Sequence, residues 1–463
     1  MNIRPTTRAY TPFLSILLGC TFGVAACNDA EGPSGGLAGP SDIVEVETAV
    51  DAAAAGAETQ DADVAIAWFR LSFDLTRDEG LFPPPAARAY AYASVTLWEA
   101  IAPGVAGGTS LAGRLNGLAD VPVTRDALHW PTVANAALAE TMRRFYTGPS
   151  SMRAIRELEQ RFARRYRSEI PGALFGRSVA HGQRVATAIR QWSRGDGYDV
   201  YHDCTYTPPS GPDLWSPTPP GFEAPVEPCW GELRPFVLSG PEACAAGPHP
   251  PYSEDPASEF FRRAFEVYET VNDLTEEQRT IALFWADLAG ETGTPAGHSL
   301  SIAAQALEQD NASLDLAAET FARVGIGESD AFISSWATKY HYNLLRPIIY
   351  INDRIDPDWQ SVLDTPPFPA YTSGHSNDVG AASTILTALF GDGFAITDHT
   401  NDDRGFAPRS FGSFFEVADE SAISRLYGGI HYRFDIEQGL EQGRCVGRVV
   451  NDLAFRTAAH ARR

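Results

Sequence analysis

The sequence predicts an all-α protein: one large helical domain of two packed helical bundles with long proline-rich loops. Apolar side chains recur at helical spacing, as at Ala86, Tyr90, Ala93, Leu97 and Ile101, and so share one face of a helix. Series of alternating apolar and polar residues, which mark half-buried strands, do not occur, and no repeat of fixed length is present. A domain of about 400 residues exceeds the usual size of a single core, which favours two bundles over one.

The first 26 residues have the features of a lipoprotein-type signal peptide. Arg4 and Arg8 precede a mostly apolar stretch at residues 13–26, which is too short to be assigned as a transmembrane span. The stretch ends in the letters VAAC, which resemble a lipobox and predict lipidation of Cys27. A competing lipobox ends at Cys20, but polar residues follow Cys27 at once, which favours Cys27. We therefore expect an exported, lipid-anchored protein that is periplasmic or on the cell surface.

The rest of the chain divides by composition. Residues 27–60 are rich in Gly, Ala, Ser, Asp and Glu and predict a flexible linker. Residues 61–463 are the predicted helical domain. Within it, residues 201–255 carry many prolines and aromatic residues, which predicts a long ordered loop insert wrapping over a cleft. The half that bears the candidate site is residues 256–463.

Cysteine positions predict at least one disulfide. Cys204 and Cys229 lie in the insert, Cys244 follows it, and Cys445 lies far along the chain. Because export implies an oxidising compartment and no Cys-x-x-Cys spacing occurs, a Cys204–Cys229 disulfide is favoured over a metal site. Cys244 and Cys445 remain for a second bridge, a pairing that the sequence leaves open.

The charge balance excludes some partners. Removing residues 1–26 takes away Arg4 and Arg8 and no acidic residue, which changes the formal net charge from −23 to −25. Such a surface argues against nucleic acid and anionic membrane as partners, so we expect membrane contact only through the lipid anchor at Cys27. A centre that binds anions in this protein must concentrate its positive charges locally.

The segment Pro369-Ala370-Tyr371-Thr372-Ser373-Gly374-His375 places a turn, a hydroxyl and an imidazole directly before a predicted helix, Ser376 to Phe390. A helix start presents free N–H groups and the positive end of the helix dipole, so this segment suits an oxyanion. The alternative is an ordinary N-cap and turn.

Lys339 and Arg346 form a second candidate group. They are seven residues apart, which places them on one face of a helix that Pro347 would end at or near Arg346. A solvated basic edge is the alternative. However, Lys339 is the only lysine among 36 basic residues. An ammonium differs from a guanidinium in hydration and reach, so we infer that position 339 needs an ammonium.

The third group is Ser424-Arg425 followed by His431 and Asp435. If the chain is helical from His431 onward, Asp435 at i+4 reaches the imidazole and fixes its tautomer. The alternative is a His–Asp pair on the surface.

These three groups resemble the three-part signature of the vanadium-dependent haloperoxidases, nearest to their chloroperoxidase branch, and of the related phosphatidic-acid-type acid phosphatases. Thr372, directly before Ser373, stands where this family usually has a proline. The resemblance spans about a fifth of the chain. It implies a vanadate cofactor held by six residues: Lys339, Arg346, Ser373, Gly374, Arg425 and His431, the last as the axial ligand of vanadium.

The resemblance also implies hydrogen peroxide and a halide as substrates; a small organic acceptor and the identity of the halide are left open. Lys339 would polarise a bound peroxide and His375 would move its proton, with His431 as the third catalytic residue. Trp336 and Phe368 would form an apolar rim that suits a poorly hydrated halide.

In the alternative phosphatase, His431 is the nucleophile and His375 protonates the leaving group. A non-catalytic vanadate- or phosphate-binding lipoprotein is a third interpretation, which the two histidines disfavour because binding alone needs only donors.

Three further segments carry weaker predictions. By resemblance Asp287 is a salt-bridge partner for a site arginine, with a solvated Asp at a helix end as the alternative. Residues 398–403 could suggest calcium, but they lack the spacing of an EF-hand loop and are better interpreted as a polar surface turn. Gly439, Gly443 and Gly447 are four apart and predict a smooth helix face, buried behind His431.

Overall fold

A computed structural model describes residues 56–202 and 204–460; the predicted signal peptide, the lipidation site Cys27 and most of the predicted linker lie outside these residues. The described chain is predominantly helical, which confirms the predicted all-α class. The helices are α1 Asp63–Glu79, α2 Pro83–Ile101, α3 Trp130–Phe145, α4 Pro149–Glu169, α5 Gly172–Ser193, α6 Tyr198–Tyr201, α7 Glu259–Asn272, α8 Glu276–Phe284, α9 Thr294–Gln309, α10 Leu314–Tyr342, α11 Pro347–Arg354, α12 Gly374–Phe390, α13 Phe414–Tyr427 and α14 Arg433–Asn451.

Strands contribute little to the part of the chain that the structure describes. The antiparallel pair β1 Ile396–Asp398 and β2 Arg409–Phe411 is the one sheet there. Its register pairs Ile396 with Phe411 and Asp398 with Arg409. The hairpin therefore serves to connect α12 to α13.

Helix α10 joins two groups of helices. It is 29 residues long and buried along most of its length. On one side it packs against α2, which in turn contacts α3 and α5; on the other it packs against α12, which contacts α13 and α14. The second group carries the candidate site: Lys339 lies on α10, Ser373 and Gly374 at the start of α12, Arg425 on α13, and His431 just before α14.

Helix α14 lies directly against α12, as its glycines predict. A Cβ at Gly439 would approach the Ser373 carbonyl oxygen to 2.8 Å, and one at Gly447 would approach the Ala381 carbonyl oxygen to 2.8 Å. Gly380 of α12 meets α14 in the same way, since its Cβ would lie 2.8 Å from the Leu440 carbonyl oxygen. The two backbones are therefore in direct contact behind the start of α12.

The prediction that Lys339 and Arg346 lie on one helix is wrong. α10 ends at Tyr342, and Asn343 follows with a left-handed φ of 50°, which stops the helix. Pro347 does not end this helix but begins α11 as its first residue, a position where its missing N–H costs no bond. Lys339 and Arg346 therefore lie on separate elements, and tertiary packing brings them together.

The proline-rich insert lies against the loop that precedes α12. The Val226 N–H donates to the Pro367 carbonyl oxygen at 3.0 Å, and the Thr218 hydroxyl donates to the Thr365 carbonyl oxygen at 3.3 Å. Two disulfides fix this region: Cys204 is bonded to Cys229, the pair favoured by the sequence, and Cys244 is bonded to Cys445.

The packed domain begins slightly before the predicted boundary at residue 60. Residues Ala57–Thr59 form a short 3-10 helix, Ala57 is buried, and the Leu314 N–H donates to the Gln60 carbonyl oxygen at 2.8 Å. Among the described residues, no helix combines the length and the apolar character that crossing a bilayer requires.

Candidate active site

Part of the candidate site lines one cavity of about 490 Å³, whose lining does not include Lys339, Arg346 or Ser373. Gly374, His375, Arg425 and His431 line its polar part. An apolar wall faces them, formed by Phe332, Trp336 and Phe368 together with residues 218–221 of the insert. The predicted rim residues are thus buried in the wall, where the rings of Trp336 and Phe368 lie 4.9 Å apart between centroids.

Backbone carbonyls before α12 hold the first two cations. Lys339 is fully buried, and its Nζ donates to the carbonyl oxygens of Pro369 and Ala370 at 3.0 Å each. Arg346 is also fully buried, and its Nε donates to the Phe368 carbonyl oxygen at 2.8 Å. Because both side chains bind one short loop, they are fixed side by side.

His431 is held between a cation and a carboxylate. Its Nε2 accepts from Arg346 Nη1 at 3.1 Å, and its Nδ1 lies 3.0 Å from Asp435 Oδ2. Since Nε2 accepts, Nδ1 carries the proton and donates it to Asp435. α14 begins only at Arg433, so His431 precedes the helix, yet the predicted pairing with Asp435 is present. The same Oδ2 accepts from the Tyr432 N–H at 3.1 Å.

Arg425 and Ser373 complete the polar part of the site. Arg425 donates from Nε to the Ser424 hydroxyl at 2.9 Å and from Nη2 to the Trp285 carbonyl oxygen. Ser373 caps α12, because its hydroxyl oxygen accepts from the Ser376 N–H at 3.3 Å. The helix therefore opens with Gly374 at the cavity, and its first N–H groups need partners from outside the helix.

The three buried cations lack carboxylate partners. Among the described residues, no Asp or Glu oxygen lies within 4.0 Å of the charged atoms of Lys339, Arg346 or Arg425, and Arg346 Nη2 has no hydrogen-bond partner. Burial lowers the pKa of Arg346 to about 10 and that of Arg425 to about 10, and it lowers the pKa of Lys339 well below its usual value, with Arg346 adding to the effect. Asp435 acts on Lys339 and Arg346 and Asp287 acts on Arg425, but neither carboxylate pairs directly with them. Buried cations without a direct partner favour a counter-ion, so these donors fit a bound oxyanion such as vanadate or phosphate.

Both site histidines are neutral. Burial lowers the pKa of His431 well below its usual value, and Arg346, Lys339 and Arg425 lower it further. Burial also lowers the pKa of His375, with contributions from Arg425, His298 and Lys339. Arg346, Lys339, Arg425 and His375 therefore all act on the pKa of His431.

Asp287 does not bind an arginine. It is buried rather than solvated, and both its oxygens bind His298 Nδ1, at 3.0 and 3.1 Å. The site group nearest to it is His375, whose Nε2 lies 3.8 Å from Asp287 Oδ2. α8 ends at Phe284 and the chain then turns inward, with a φ of 48° at Asp287. Both predictions for Asp287 were therefore wrong.

Two residues near the site were missed in the sequence. His298 lies on α9, and Asp398, at the end of β1, is fully buried with its Oδ2 2.7 Å from His298 Nε2. The prediction of a polar surface turn at residues 398–403 is therefore wrong for Asp398, and also for Asn401, which is buried and donates from Nδ2 to the Phe284 carbonyl oxygen at 2.8 Å. No group of metal-ligating side chains forms within the described ranges 56–202 and 204–460.

Besides Asp287 and Asp398, another pair of buried acidic residues lies behind α12. Glu328 of α10 and Asp378 of α12 are both buried, and the Ser299 hydroxyl donates to Asp378 Oδ2 at 3.0 Å. Burial raises the pKa of Asp378 to about 8 and that of Glu328 well above its usual value. Both side chains are therefore largely protonated at neutral pH.

The fold and this cavity define an all-α protein that presents buried cations and two neutral imidazoles to an oxyanion. A family model described as the VCPO second helical-bundle domain matches residues 319–459. The structure is similar to that of a bacterial vanadium-dependent iodoperoxidase, with a TM-score of 0.81 and 36% identity, covering 86% of this chain and 98% of the other. The chain belongs to the vanadium-dependent haloperoxidase family.

Other similarities are more distant. A bacterial vanadium-dependent chloroperoxidase in its holo form shares the fold, with a TM-score of 0.62 at 15% identity, covering 81% of this chain and 95% of the other. Vanadium chloroperoxidase of Curvularia inaequalis is 28% identical over 169 residues, which are 26% of this chain and 28% of that protein. The vanadium-dependent bromoperoxidase of Ascophyllum nodosum is 35% identical over 94 residues, 18% of this chain and 17% of that protein. The matches to these two proteins therefore cover less than a third of their lengths.

Proposed function

We propose that this protein oxidises a halide with hydrogen peroxide at a vanadate bound in the cavity. The observation that carries the proposal is the set of three buried cations without carboxylate partners, placed around His431 and the first turn of α12. Vanadate supplies a Lewis-acidic centre that activates peroxide for oxidation of the halide. Membership of the family and the iodoperoxidase named above support the same activity.

His431 is the residue that would ligate the vanadium. Its Nε2 carries a lone pair, and the bond from Nδ1 to Asp435 at 3.0 Å fixes the ring and its tautomer. The Nε2 hydrogen bond from Arg346 would give way to the ligand. Lys339, Arg346 and Arg425 would neutralise the oxyanion, and the Ser373 hydroxyl and Gly374 N–H would donate to its oxygens.

His375 is the residue that would accept the proton of the peroxide. It lines the cavity, its side chain is 17% exposed, and its Nε2 has no hydrogen-bond partner in the described chain. Because burial and the nearby cations lower its pKa, the ring is neutral and can act as a base at neutral pH. Lys339 would polarise the peroxide.

The wall formed by Trp336 and Phe368 suits a weakly hydrated halide. Both rings are buried and line the cavity, so a halide there exchanges water for aromatic contacts. This exchange costs least for iodide, which also loses an electron most readily. Iodide is therefore the first halide to test, followed by bromide and chloride.

The test is a peroxidase assay of the purified mature chain with orthovanadate, hydrogen peroxide, each halide and a dye that reacts with oxidised halogen. We expect dye halogenation that requires both vanadate and halide. A phosphoester assay runs in parallel, and ester cleavage that vanadate inhibits would assign the chain to the related acid phosphatases instead. Tight vanadate binding without either activity would support the third interpretation, a non-catalytic oxyanion-binding protein.

A variant assigns the vanadium ligand. His431→Ala removes the lone pair at Nε2, so vanadate should be lost on gel filtration, whereas His399→Ala, with an imidazole 54% exposed, should retain it. Unchanged retention in His431→Ala would contradict the assignment.

We also infer that the protein is exported and anchored by a lipid at Cys27. The two disulfides of the structure support an oxidising compartment. Mass spectrometry of protein from a bacterial membrane fraction should find a chain that begins at a diacylated Cys27. A chain that begins elsewhere, or a soluble unmodified one, would refute the anchor.

A further inference from the structure

A buried charged triad lies next to the cavity and has no role in the function described so far. Its centre is His298, whose side chain is 1% exposed. Nδ1 lies 3.0 Å from Asp287 Oδ1, and Nε2 lies 2.7 Å from Asp398 Oδ2. The ring stacks on the indole of Trp285, with 4.3 Å between centroids. Contacts on all sides therefore fix the imidazole.

His298 is an imidazolium. Each ring nitrogen faces a carboxylate, and an ionised carboxylate can only accept a hydrogen bond, so both nitrogens carry protons. The two carboxylates overcome the effect of burial and raise the pKa of His298 to about 10, while His298 lowers the pKa of Asp398 despite the burial of that carboxyl group. The third titratable group that faces the triad is Asp378, whose pKa responds to both Asp287 and His298.

Asp398 is held from its other side as well. Its Oδ1 accepts from the Thr400 N–H at 2.9 Å and from Gln305 Nε2 at 3.3 Å. Asp287, by contrast, lines the cavity, and its Oδ2 lies 3.8 Å from His375 Nε2. The triad is thus fixed at one end by the hydrogen bonds of Asp398, and its other end, Asp287, lies beside His375.

The segment from Trp285 to Asp287 contacts two site residues at once. The Trp285 carbonyl oxygen accepts from Arg425 Nη2, and the Asp287 carboxylate approaches His375. Any displacement of Asp287 therefore changes the surroundings of both a cation and an imidazole in the cavity.

We propose that His298 is a positioning residue for His375: held as a cation between Asp398 and Asp287, it fixes the Asp287 carboxylate beside His375 and cancels the charge that would otherwise keep His375 protonated. The proposal rests on the proposed role of His375 as the base. Asp287 alone would favour His375 as an imidazolium, which cannot accept a proton. Arg425, His298 and Lys339 oppose protonation of His375, whereas a hydrogen bond to the Trp285 backbone favours it. The Asp287 carboxylate, 3.8 Å from His375 Nε2, is an opposite charge close enough to favour the imidazolium as well.

The variant His298→Asn separates charge from hydrogen bonding. The asparagine amide can still donate to Asp287 but carries no charge. With Asp287 uncompensated, the pKa of His375 should rise by about one unit or more, since a buried charge within several ångströms changes a pKa by that order. Asp287→Asn removes the anion instead, so it should leave the pKa of His375 unchanged or lower it. His399→Asn, at an exposed imidazole, is the matched control.

The first measurement needs no vanadate. Histidine labelled with 13C at Cε1 gives one signal for each of the ten histidines, and His375→Gln and His298→Asn assign the two that matter. In the wild-type protein we expect the His298 signal to stay that of an imidazolium from pH 6 to 9. The His375 midpoint should be at least about one pH unit higher in His298→Asn, which is a tenfold lower acid dissociation constant. A neutral His298 at pH 8, or an unchanged His375 midpoint in a folded variant, would overturn the proposal.

The second measurement is the pH profile of halide oxidation. In His298→Asn the acid limb of kcat should move to higher pH by the same amount, and in Asp287→Asn it should not. A purely structural role would lower kcat at every pH without moving the limb. If the wild-type chain has no vanadate-dependent activity, the proposed function fails, while the NMR titration of the vanadate-free protein still decides whether His298 acts on His375.

Discussion

Asp435 offers the sharpest test of how the site holds His431. Its Oδ2 accepts two hydrogen bonds, from His431 Nδ1 at 3.0 Å and from the Tyr432 N–H at 3.1 Å, whereas Oδ1 has no partner in the described chain. In Asp435→Asn the amide oxygen can take the place of Oδ2 and keep both bonds. In Asp435→Ala both donors are left buried without an acceptor. The two variants therefore separate orientation of the ring from the charge behind it.

The expected magnitudes follow from these contacts. Leaving the His431 Nδ1–H unpaired costs about 1–3 kcal/mol, and losing the partner of a ligating histidine typically weakens metal binding by about 10–100-fold. We expect Asp435→Ala to bind vanadate about 100-fold more weakly than the wild-type protein. In Asp435→Asn two effects oppose each other. Loss of the carboxylate charge makes His431 Nε2 a weaker electron-pair donor to vanadium, but it also removes the repulsion between Asp435 and the vanadate anion. The vanadate affinity of Asp435→Asn should stay within about tenfold of wild type.

The assay is calorimetric titration of the purified protein with orthovanadate, without peroxide or halide. Circular dichroism of each variant shows that it is folded before titration. If Asp435→Ala and Asp435→Asn bind vanadate equally well, Asp435 does not contribute by orienting His431 through hydrogen bonds.

Three further predictions concern the ammonium, the long disulfide and the buried acid. Lys339→Arg keeps the charge but not the compact fit between two carbonyl oxygens, so kcat should fall by about 10–100-fold, and full activity would contradict the need for an ammonium. The double substitution Cys244→Ser and Cys445→Ser removes a disulfide that spans 201 residues of chain and should lower the free energy of unfolding, measured in urea, by about 3–5 kcal/mol. An unchanged midpoint of the urea unfolding curve would contradict this. Asp378→Asn should match the wild-type stability near pH 4 and exceed it by about 5 kcal/mol at pH 8, because the folded-state pKa of Asp378, raised to about 8, destabilises the wild-type fold increasingly as pH rises from the unfolded value to about 8; equal stability at pH 8 would refute this.

The parts of the site that short motifs encode were visible in the sequence. Ser373 is the N-cap of α12, and the helix begins at Gly374, two residues before the predicted start. His431 and Asp435 are four apart, close enough to pair although α14 begins only at Arg433. The single lysine marked position 339, which is fully buried beside the loop before α12. Local spacing and residue rarity were sufficient for these residues.

The rest depends on tertiary packing, which local patterns do not encode. The separation of Lys339 from Arg346 was missed because the helix is stopped by the left-handed conformation of Asn343, a residue that gives no strong stop signal beside Pro347. The Asp287–His298–Asp398 triad was missed because Asp398 lies 100 residues from His298 in the chain. In the sequence Asp398 is one of several polar residues in a loop, and only the fold shows that it is buried.

The most direct test of the central claim is a crystal structure of the purified chain soaked in orthovanadate, with vanadium located by its anomalous scattering. We expect one vanadium peak in the cavity, bonded to His431 Nε2, with oxygens in hydrogen-bond contact with Lys339, Arg346 and Arg425. A cavity without vanadium at a saturating vanadate concentration, or a vanadium held by other residues, would contradict the claim.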